Sequence, residues 1–580
     1  MRIPLRRYLS LFATYLKPQW VKLVVMACLI LANIGLQVYN PQILSRFIDA
    51  AAADGAFSYL LTMALLFLVI AIFNQFASVL ASYVSARVAW TATNSLRRDL
   101  VAHCLSLDMR YHTSVTPGEM IERIDGDVTQ LSNFFSLFVI NVLSNAIVLL
   151  VVLTLFFGIS WFVGIAMTLY VMLVFAFLTY LRRLSVPVWE QQRRMSATFF
   201  GFLSERLAGT EDLRANDATA YTLRRFLQLS SQWYPVMWKA NSLGCLLYVG
   251  SYFLFGCGII LVLALGAYLW STGAISLGVV YLMFAYANQI TQPIQQIRSQ
   301  LYDLQQAEAS LRRVEQLLAT RSAVTDGAGK PLPEGPLAVA FERVTFGYVA
   351  DEPVLRDVSF HVQPGEVLGL LGRTGSGKTT IAHLLFRLYD PQEGEIRIGD
   401  LPLRQAALRD LRKRIGLVTQ NVQLFHASVR DNLTFFDPAI GDAQILATLD
   451  DVGLMPWYRS LADGLDTILT AGGGLSAGQA QLLAFTRVFL ADPSLVILDE
   501  ASSRLDPATE HLIEQAIGTL LHNRSAIIIA HRLATIQRAD SILIIEDGQI
   551  LEYGRRAALA DDPGSRFVAL LRVGLEEVMA

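Results

Sequence analysis

Charged and hydrophobic positions are unevenly spread along the chain. Four stretches contain no Asp, Glu, Lys or Arg: 23–45, 55–86, 128–181 and 240–297, which are 23, 32, 54 and 58 residues long. A helix needs ~20 apolar residues to cross ~30 Å of hydrocarbon, so the first two stretches each hold one span and the last two each hold two. Turn signals sit near the middle of both long stretches, Gly158-Ile159-Ser160 in one and Ser271-Thr272-Gly273-Ala274 in the other. The pattern predicts a membrane domain over 1–320 with six spans, at about 20–45, 57–86, 130–156, 160–181, 243–270 and 276–297. Basic residues precede the first run, as in a signal peptide. Its 23 uncharged residues exceed the ~7–15 of a signal h-region, so a retained span is expected.

The connections between spans fall into two kinds. Residues 87–127 and 182–239 carry five and nine Lys or Arg, and residues 1–22 add Arg2, Arg6, Arg7, Lys17 and Lys22. The alternate connections, 46–54, 158–160 and 271–276, carry Arg46 alone. The basic side is cytoplasmic, which puts both termini in the cytoplasm and makes the chain multi-pass in a cell (plasma or inner) membrane. The connections of 41 and 58 residues have few Pro or Gly, and read as helical arms reaching into the cytosol. Residues 4–16 mix basic and apolar positions and suit an interfacial helix. The uncharged stretches carry amides in place of charges, among them Asn33, Asn74, Gln75, Asn141, Asn145, Asn288 and Gln289. They are expected to bond between helices. An ion-coupled carrier usually keeps an intramembrane charge, so the energy source is expected elsewhere in the chain.

That source lies past a Gly/Pro-bearing stretch, 321–335, read as a linker to an α/β domain over 336–580. Short apolar runs (Val367–Leu371, Leu495–Leu498, Ala526–Ile529, Ile542–Ile545) alternate there with helical segments. After the first run comes Gly372-Arg373-Thr374-Gly375-Ser376-Gly377-Lys378-Thr379, followed by Thr380. This fits the P-loop pattern, in which glycines let backbone N–H groups surround phosphates, Lys378 reaches the β- and γ-phosphates, and the Thr379 hydroxyl meets Mg²⁺. A helix starting near Lys378 turns its N-terminus to the anion. The run Leu495–Leu498 ends in Asp499-Glu500, where Asp499 suits Mg²⁺ and Glu500 the attacking water.

Composition agrees with this division. Apolar residues make up 53% and charged residues 17% of 580, with a net charge of −2, so the balance does not point to a nucleic-acid partner. Cys28, Cys104, Cys245 and Cys257 form no C-x-x-C pair and are expected to be small buried hydrophobes.

A third motif, Gly474-Leu475-Ser476-Ala477-Gly478-Gln479, completes an ordered set with the P-loop, Gln420, Asp499-Glu500 and His531. The set resembles that of ABC transporters, and the six-span region with long arms is similar to an exporter-type half-transporter. The resemblance implies a fold class: an all-α six-helix transmembrane domain followed by an α/β P-loop NTPase domain. It implies ATP and Mg²⁺ as ligands and ATPase activity coupled to transport. By resemblance Tyr348 stacks on adenine, Gln420 touches Mg²⁺, and Ser476, Gly478 and Gln479 face the nucleotide held by a second chain. Asp506 is the D-loop acid, and His531 contacts the γ-phosphate beside the catalytic Glu500. Thr116–Arg123 with Asp127, and Gly209–Arg214, resemble stretches of the two arms.

The family usually has a glycine where Ala477 stands and a basic residue at Ala480. It has Gly-Glu-Arg-Gly where this chain has Ala471-Gly472-Gly473-Gly474, and a small residue at Arg504. Lys378, Glu500 and His531 are intact. The pattern favours a heterodimer with a second half-transporter over a homodimer. The expected function is export of a hydrophobic or amphipathic small molecule, lipid or peptide. Uptake, as in siderophore-like transporters, and an ATP-gated channel or regulator remain open alternatives. About 22 residues precede the first span, so no accessory peptidase domain is expected.

Overall fold

The apolar stretches and their arms form continuous helices rather than separate spans and arms. The computed structural model describes residues 13–133, 142–349, 351–419, 422–469, 475–499, 507–529 and 536–573. Two units result: Met1–Leu105 with Gly118–Ala319, and Ser106–Pro117 with Thr320–Ala580.

The first unit contains α1 (Trp20–Ala52) and α2 (Phe57–Ser106). The short α3 (Met109–Ser114), which groups with the second unit, and α4 (Pro117–Ile121) follow. After a π-helical turn, Glu122–Gly126, come α5 (Asp127–Asn133), α6 (Ser144–Ile159), α7 (Trp161–Ala208), α8 (Thr210–Ala215), α9 (Thr219–Ser271) and α10 (Leu277–Ala319). Among the described residues, the helices Ala13–Ala52, Phe57–Ser106, Trp161–Ala208 and Thr219–Ser271 are long and apolar enough to cross a membrane. The apolar α6 is shorter, at 16 residues, and follows directly after residues outside the description. Ser160 ends α6 in extended backbone and starts α7. Gly273, at φ +73°, turns the chain between α9 and α10, a conformation glycine adopts without steric cost.

Ile34, Val38, Val152, Phe156, Met167, Val262, Met283 and Ile294 form the core shared by α1, α6, α7, α9 and α10. These positions fall within the expected spans, where close packing and polar contacts rather than exclusion of water hold helices together. The amides contribute those polar contacts. Asn33 donates to the Asn74 side chain at 3.0 Å, Asn145 to Gln296 at 2.6 Å, and Gln289 to the Gln37 carbonyl at 2.9 Å. Asn288 instead bonds within its own helix. At the start of α10, Asp49 accepts from the Ser276 hydroxyl at 2.6 Å and the Gly278 N–H at 2.7 Å. A Cβ on Gly278 would lie 2.1 Å from the Ser45 carbonyl, so glycine is required where α1 and α10 approach this closely. Further along α10, buried Asp127 forms a bidentate pair with Arg313, one arm at 2.8 Å.

The cysteine expectation needs correction. Only Cys104 is buried; Cys28, Cys245 and Cys257 are exposed on the single chain. Small apolar side chains in a membrane helix need not face its own bundle. Leu65, Leu68, Phe73 and Phe76 of α2 are likewise exposed.

The second unit is built on a six-stranded sheet ordered β12-β11-β3-β10-β9-β6. Its strands are β3 (Val367–Leu371), β6 (Ile415–Val418), β9 (Leu495–Asp499), β10 (Ser525–Ile529), β11 (Ser541–Glu546) and β12 (Gln549–Arg555). All pairs are parallel except β11–β12. A second, antiparallel sheet has β1 (Val339–Phe346) between β2 (Leu355–Val362) and β4 (Glu393–Ile398), with β5 (Leu401–Pro402) at the edge. β7 (Ala427–Ser428) pairs with β8 (Ile468–Leu469). The helices are α11 (Lys378–Leu385), α12 (Leu408–Arg414), α13 (Val429–Thr434), α14 (Asp442–Asp451), α15 (Met455–Arg459), α16 (Ala477–Ala491), α17 (Pro507–Leu521), α18 (Arg556–Asp561) and α19 (Arg566–Val573).

The central strands are buried on both faces, which is why they read as unbroken apolar runs. Leu368, Leu370, Ile497, Ile527 and Leu543 pack against Val339, Phe341 and Phe360 of the antiparallel sheet. Leu371, Val496, Leu498, Ile528 and Ile544 pack against Phe485 of α16 and Ile513 of α17. The segment 321–335 behaves as part of this unit rather than as a tether. Leu332 is buried, its N–H donates to Asp410 at 3.2 Å, and Asp326 accepts from the Leu408 N–H at 2.8 Å.

Asp108 secures α3 within the unit. Its carboxylate caps α3 by accepting from the Tyr111 N–H at 3.2 Å, and also accepts from the Ser322 hydroxyl at 3.3 Å and the Ala323 N–H. Burial pushes the carboxyl up, but the N–H groups of Ala323, Tyr111 and Val324 outweigh it and hold the carboxyl below its usual range. Its contribution is therefore complete above the ordinary carboxylate pKa of about 3.9 and lost as pH falls through the lowered folded value. Losing a cap costs ~0.5–2 kcal/mol. Asp108→Ala is expected to speed hydrogen exchange at Tyr111 and Ala323 about two- to thirtyfold, and Asp108→Asn much less. Unchanged exchange in the alanine variant would contradict the role.

Candidate functional site

Parallel strands present their carboxyl ends on one edge, and ligands of such sheets bind there. β3 runs directly into the P-loop. In the sheet register Leu370 pairs with Ile529, Ile529 with Asp499, and Leu498 with Val418. The described ends of β3, β10, β9 and β6 thus lie side by side. These strands lead to the P-loop, His531, Glu500 and Gln420. Gln420, Glu500, Asp506 and His531 themselves lie outside the described residues, as does Arg504.

Within the P-loop, Gly372, Gly375 and Gly377 have φ of +150°, +84° and +108°. A Cβ on Gly372 would meet the Ile545 carbonyl at 2.1 Å, and one on Gly377 the Leu355 side chain at 2.6 Å. The loop therefore needs glycine for both its conformation and its packing. Gly377 delivers the chain into α11, whose first residue is Lys378. The Lys378 ammonium is buried and donates to the carbonyls of Gly372 at 2.6 Å and Arg373 at 2.9 Å. The Ser376 hydroxyl oxygen is also buried and has no partner among the described residues. Thr380 is buried, whereas Arg373, Thr374, Gly375 and Thr379 are exposed. Asp499 is 9% exposed at the end of β9.

These features fit a nucleotide triphosphate with its divalent cation. A glycine-only loop, a buried ammonium, an unpartnered hydroxyl and a helix N-terminus converge where phosphate oxygens would be held. Thr379 and Asp499 supply the hard oxygen donors that Mg²⁺ takes.

Tyr348 lies just beyond β1 and is 40% exposed. Its hydroxyl is 3.2 Å from the Thr380 Oγ1 and 3.0 Å from the His383 Nδ1. Burial pushes the phenol pKa up, so it stays protonated.

The third motif occupies a different place, at the start of α16. Ser476 and Gln479 form a reciprocal cap: the Ser476 hydroxyl accepts from the Gln479 N–H at 3.1 Å, and the Gln479 side chain accepts from the Ser476 N–H at 3.0 Å. Gly478 is buried, and a Cβ there would strike Thr509 of α17 at 2.2 Å. Ala477 is exposed, so its methyl leaves this chain's own packing undisturbed.

Sequence reasoning missed Arg487, on the same helix. It donates to the carbonyls of Asn432 at 2.7 Å and Gln423 at 3.0 Å, and stacks over Phe435 at 4.8 Å. Asn432, buried, accepts from the Phe425 N–H at 2.9 Å. The pair ties α16 to the segment that follows Gln420. Its partners lie 55 to 64 residues away, so no local motif marks it.

A hydrogen bond to a charged group contributes about 1.5–3 kcal/mol. Lys378→Ala is expected to weaken binding of a fluorescent ATP analogue about tenfold or more, with the fold intact by circular dichroism. Unaltered affinity would remove Lys378 from the site.

The family described as ABC transporter transmembrane region matches residues 23–294, and that described as ABC transporter matches 355–503. The fatty acid ABC transporter ATP-binding/permease protein of Mycobacterium tuberculosis is 30% identical over 468 residues, 80% of this chain and 74% of that protein. The ATP-dependent lipid A-core flippase of Alcanivorax borkumensis is 27% identical over 557 residues, 95% of each chain. The structure of a bacterial Atm1-family ABC exporter with ATP bound superposes with a TM-score of 0.77 at 25% identity, covering 96% of this chain and 97% of that one. With a transmembrane region fused to an ATP-hydrolysing region, the chain belongs to the ABC transporter family, as a multi-pass membrane half-transporter whose ATPase activity is coupled to transport.

Proposed function

We propose that the chain is one half of a dimeric exporter in a cell membrane, with its termini and ATP-binding region cytoplasmic. Its cargo is hydrophobic or amphipathic. One observation carries this reading: a complete P-loop cradle shares the chain with helices of membrane-spanning length whose uncharged stretches offer amides in place of ions. The fatty acid and lipid A-core transport named for two relatives supports an apolar cargo. Six spans, those of the sequence pattern, return the chain to the cytoplasmic side.

Each half-site has its own task. Lys378 exchanges the carbonyls of Gly372 and Arg373 for phosphate oxygens. Bound ATP with Mg²⁺ supplies the transferable γ-phosphoryl group. Thr379, Asp499 and Gln420 hold the cation, Glu500 takes the proton of the attacking water, and His531 steadies the γ-phosphate. Ser476, Gly478 and Gln479 serve the nucleotide on the second chain, and Asp506 lies between the two. Because ATP is held by both chains, it has a higher affinity for their closed arrangement, and that difference drives closure. Hydrolysis removes the shared contact and resets the pair.

A heterodimer fits better than a homodimer. Glu500 and His531 equip this chain's own site. The site it completes for its partner receives Ala477, whose exposed methyl stands where close backbone approach to phosphate favours glycine.

Inside-out vesicles with the ATP-binding regions outward test the direction of transport. ATP should drive accumulation of a fluorescent lipid, and Glu500→Gln should cut this by the ~10²–10⁴-fold a general base supplies while leaving ATP binding intact. ATP-dependent depletion of the lipid would indicate uptake instead, and an ATP-gated current a channel.

A further inference from the structure

We propose that His383 is a positioning residue for nucleotide binding: it fixes Tyr348 in the orientation from which that ring stacks on adenine. The inference rests on reading Tyr348 as the adenine platform.

Three observations meet here. First, His383 lies on α11, the helix that begins with Lys378, so one rigid element carries the phosphate-binding ammonium and the group that steadies the aromatic ring. Second, the Tyr348 hydroxyl has two partners, His383 Nδ1 at 3.0 Å and Thr380 Oγ1 at 3.2 Å. A phenol has one proton to give. The phenol gives that proton to the Thr380 Oγ1, and its oxygen accepts from a neutral His383 protonated on Nδ1. Burial pushes the imidazole below its ordinary pKa and favours this neutral form. Third, Phe346, Tyr389 and His383 surround Tyr348 with rings nearly perpendicular to it, at 84°, 84° and 79° and centroid distances of 5.1, 5.2 and 6.4 Å. Phe346 and Tyr389 are buried, yet Tyr348 remains 40% exposed. A partly exposed aromatic tied at its polar tip and boxed by three rings cannot rotate freely. A base stacking on it therefore does not have to overcome the entropy of ordering it.

The test is a set of dissociation constants for ATP and for inorganic tripolyphosphate, each with Mg²⁺, measured on the full chain in lipid. An aromatic contact of this kind is worth about a three- to tenfold change in affinity. His383→Leu is expected to weaken ATP by that factor and leave tripolyphosphate unchanged, because only ATP carries a base. His383→Asn, which keeps an N–H donor near the Nδ1 position, should recover much of the loss. Tyr348→Phe, which removes the hydroxyl from the other side, should match His383→Leu, and the double variant should be no worse than either. Equal weakening of ATP and tripolyphosphate by His383→Leu would mean general damage to α11 and overturn the proposal. Unchanged ATP affinity in both His383→Leu and Tyr348→Phe would overturn it as well. Tyr348→Ala separates the layers: if it leaves ATP affinity intact, the platform reading itself fails. If it weakens ATP while His383→Leu does not, the platform stands and the role of His383 falls.

Discussion

A buried ammonium must be satisfied, and the second unit is organised around satisfying that of Lys378. The loop carbonyls of Gly372 and Arg373 accept its protons, and the positive φ of Gly372, Gly375 and Gly377 gives the loop its path around that ammonium. None of this holds without β3 fixed between β10 and β11, since a strand buried on both faces gives the loop a rigid base. The same register sets the ends of β9 and β6 beside it, so the constraint that fixes the P-loop also gathers the strands that lead to Glu500 and Gln420.

The first unit follows a different rule. Without Asp, Glu, Lys or Arg in its uncharged stretches, it relies on close packing and amide bonds, as in Asn33–Asn74 and Asn145–Gln296. Outside those stretches, buried Asp127 is paired with Arg313. Removing Arg313 would leave the buried Asp127 charge uncompensated, which is costly, so the pair fastens α5 to α10.

Much of this was legible in the sequence. Charge gaps located the apolar helices, and Gly158–Ser160 and Ser271–Ala274 marked the turns, because a charge in lipid or a glycine in a turn has a local cause. β3 and the P-loop were readable for the same reason. Contacts across long sequence distances were not. Nothing near Asp108 foretells that α3 groups with the second unit, or that 321–335 packs there rather than acting as a linker. Arg487 and Asn432 meet only in the folded state, and His383 reads as an ordinary helix residue until Tyr348 is placed beside it. The cysteines misled because apolar surroundings in sequence do not say whether a side chain faces its own bundle or the outside.

The central claim is that one chain holds only half of each working ATP site. The most direct test is ATP turnover in lipid nanodiscs that each contain one copy, compared with discs that contain two chains. The expected result is ATP binding without turnover in the single-copy discs, and turnover only when a second chain is present. Full turnover by single copies, abolished by Glu500→Gln, would contradict the claim.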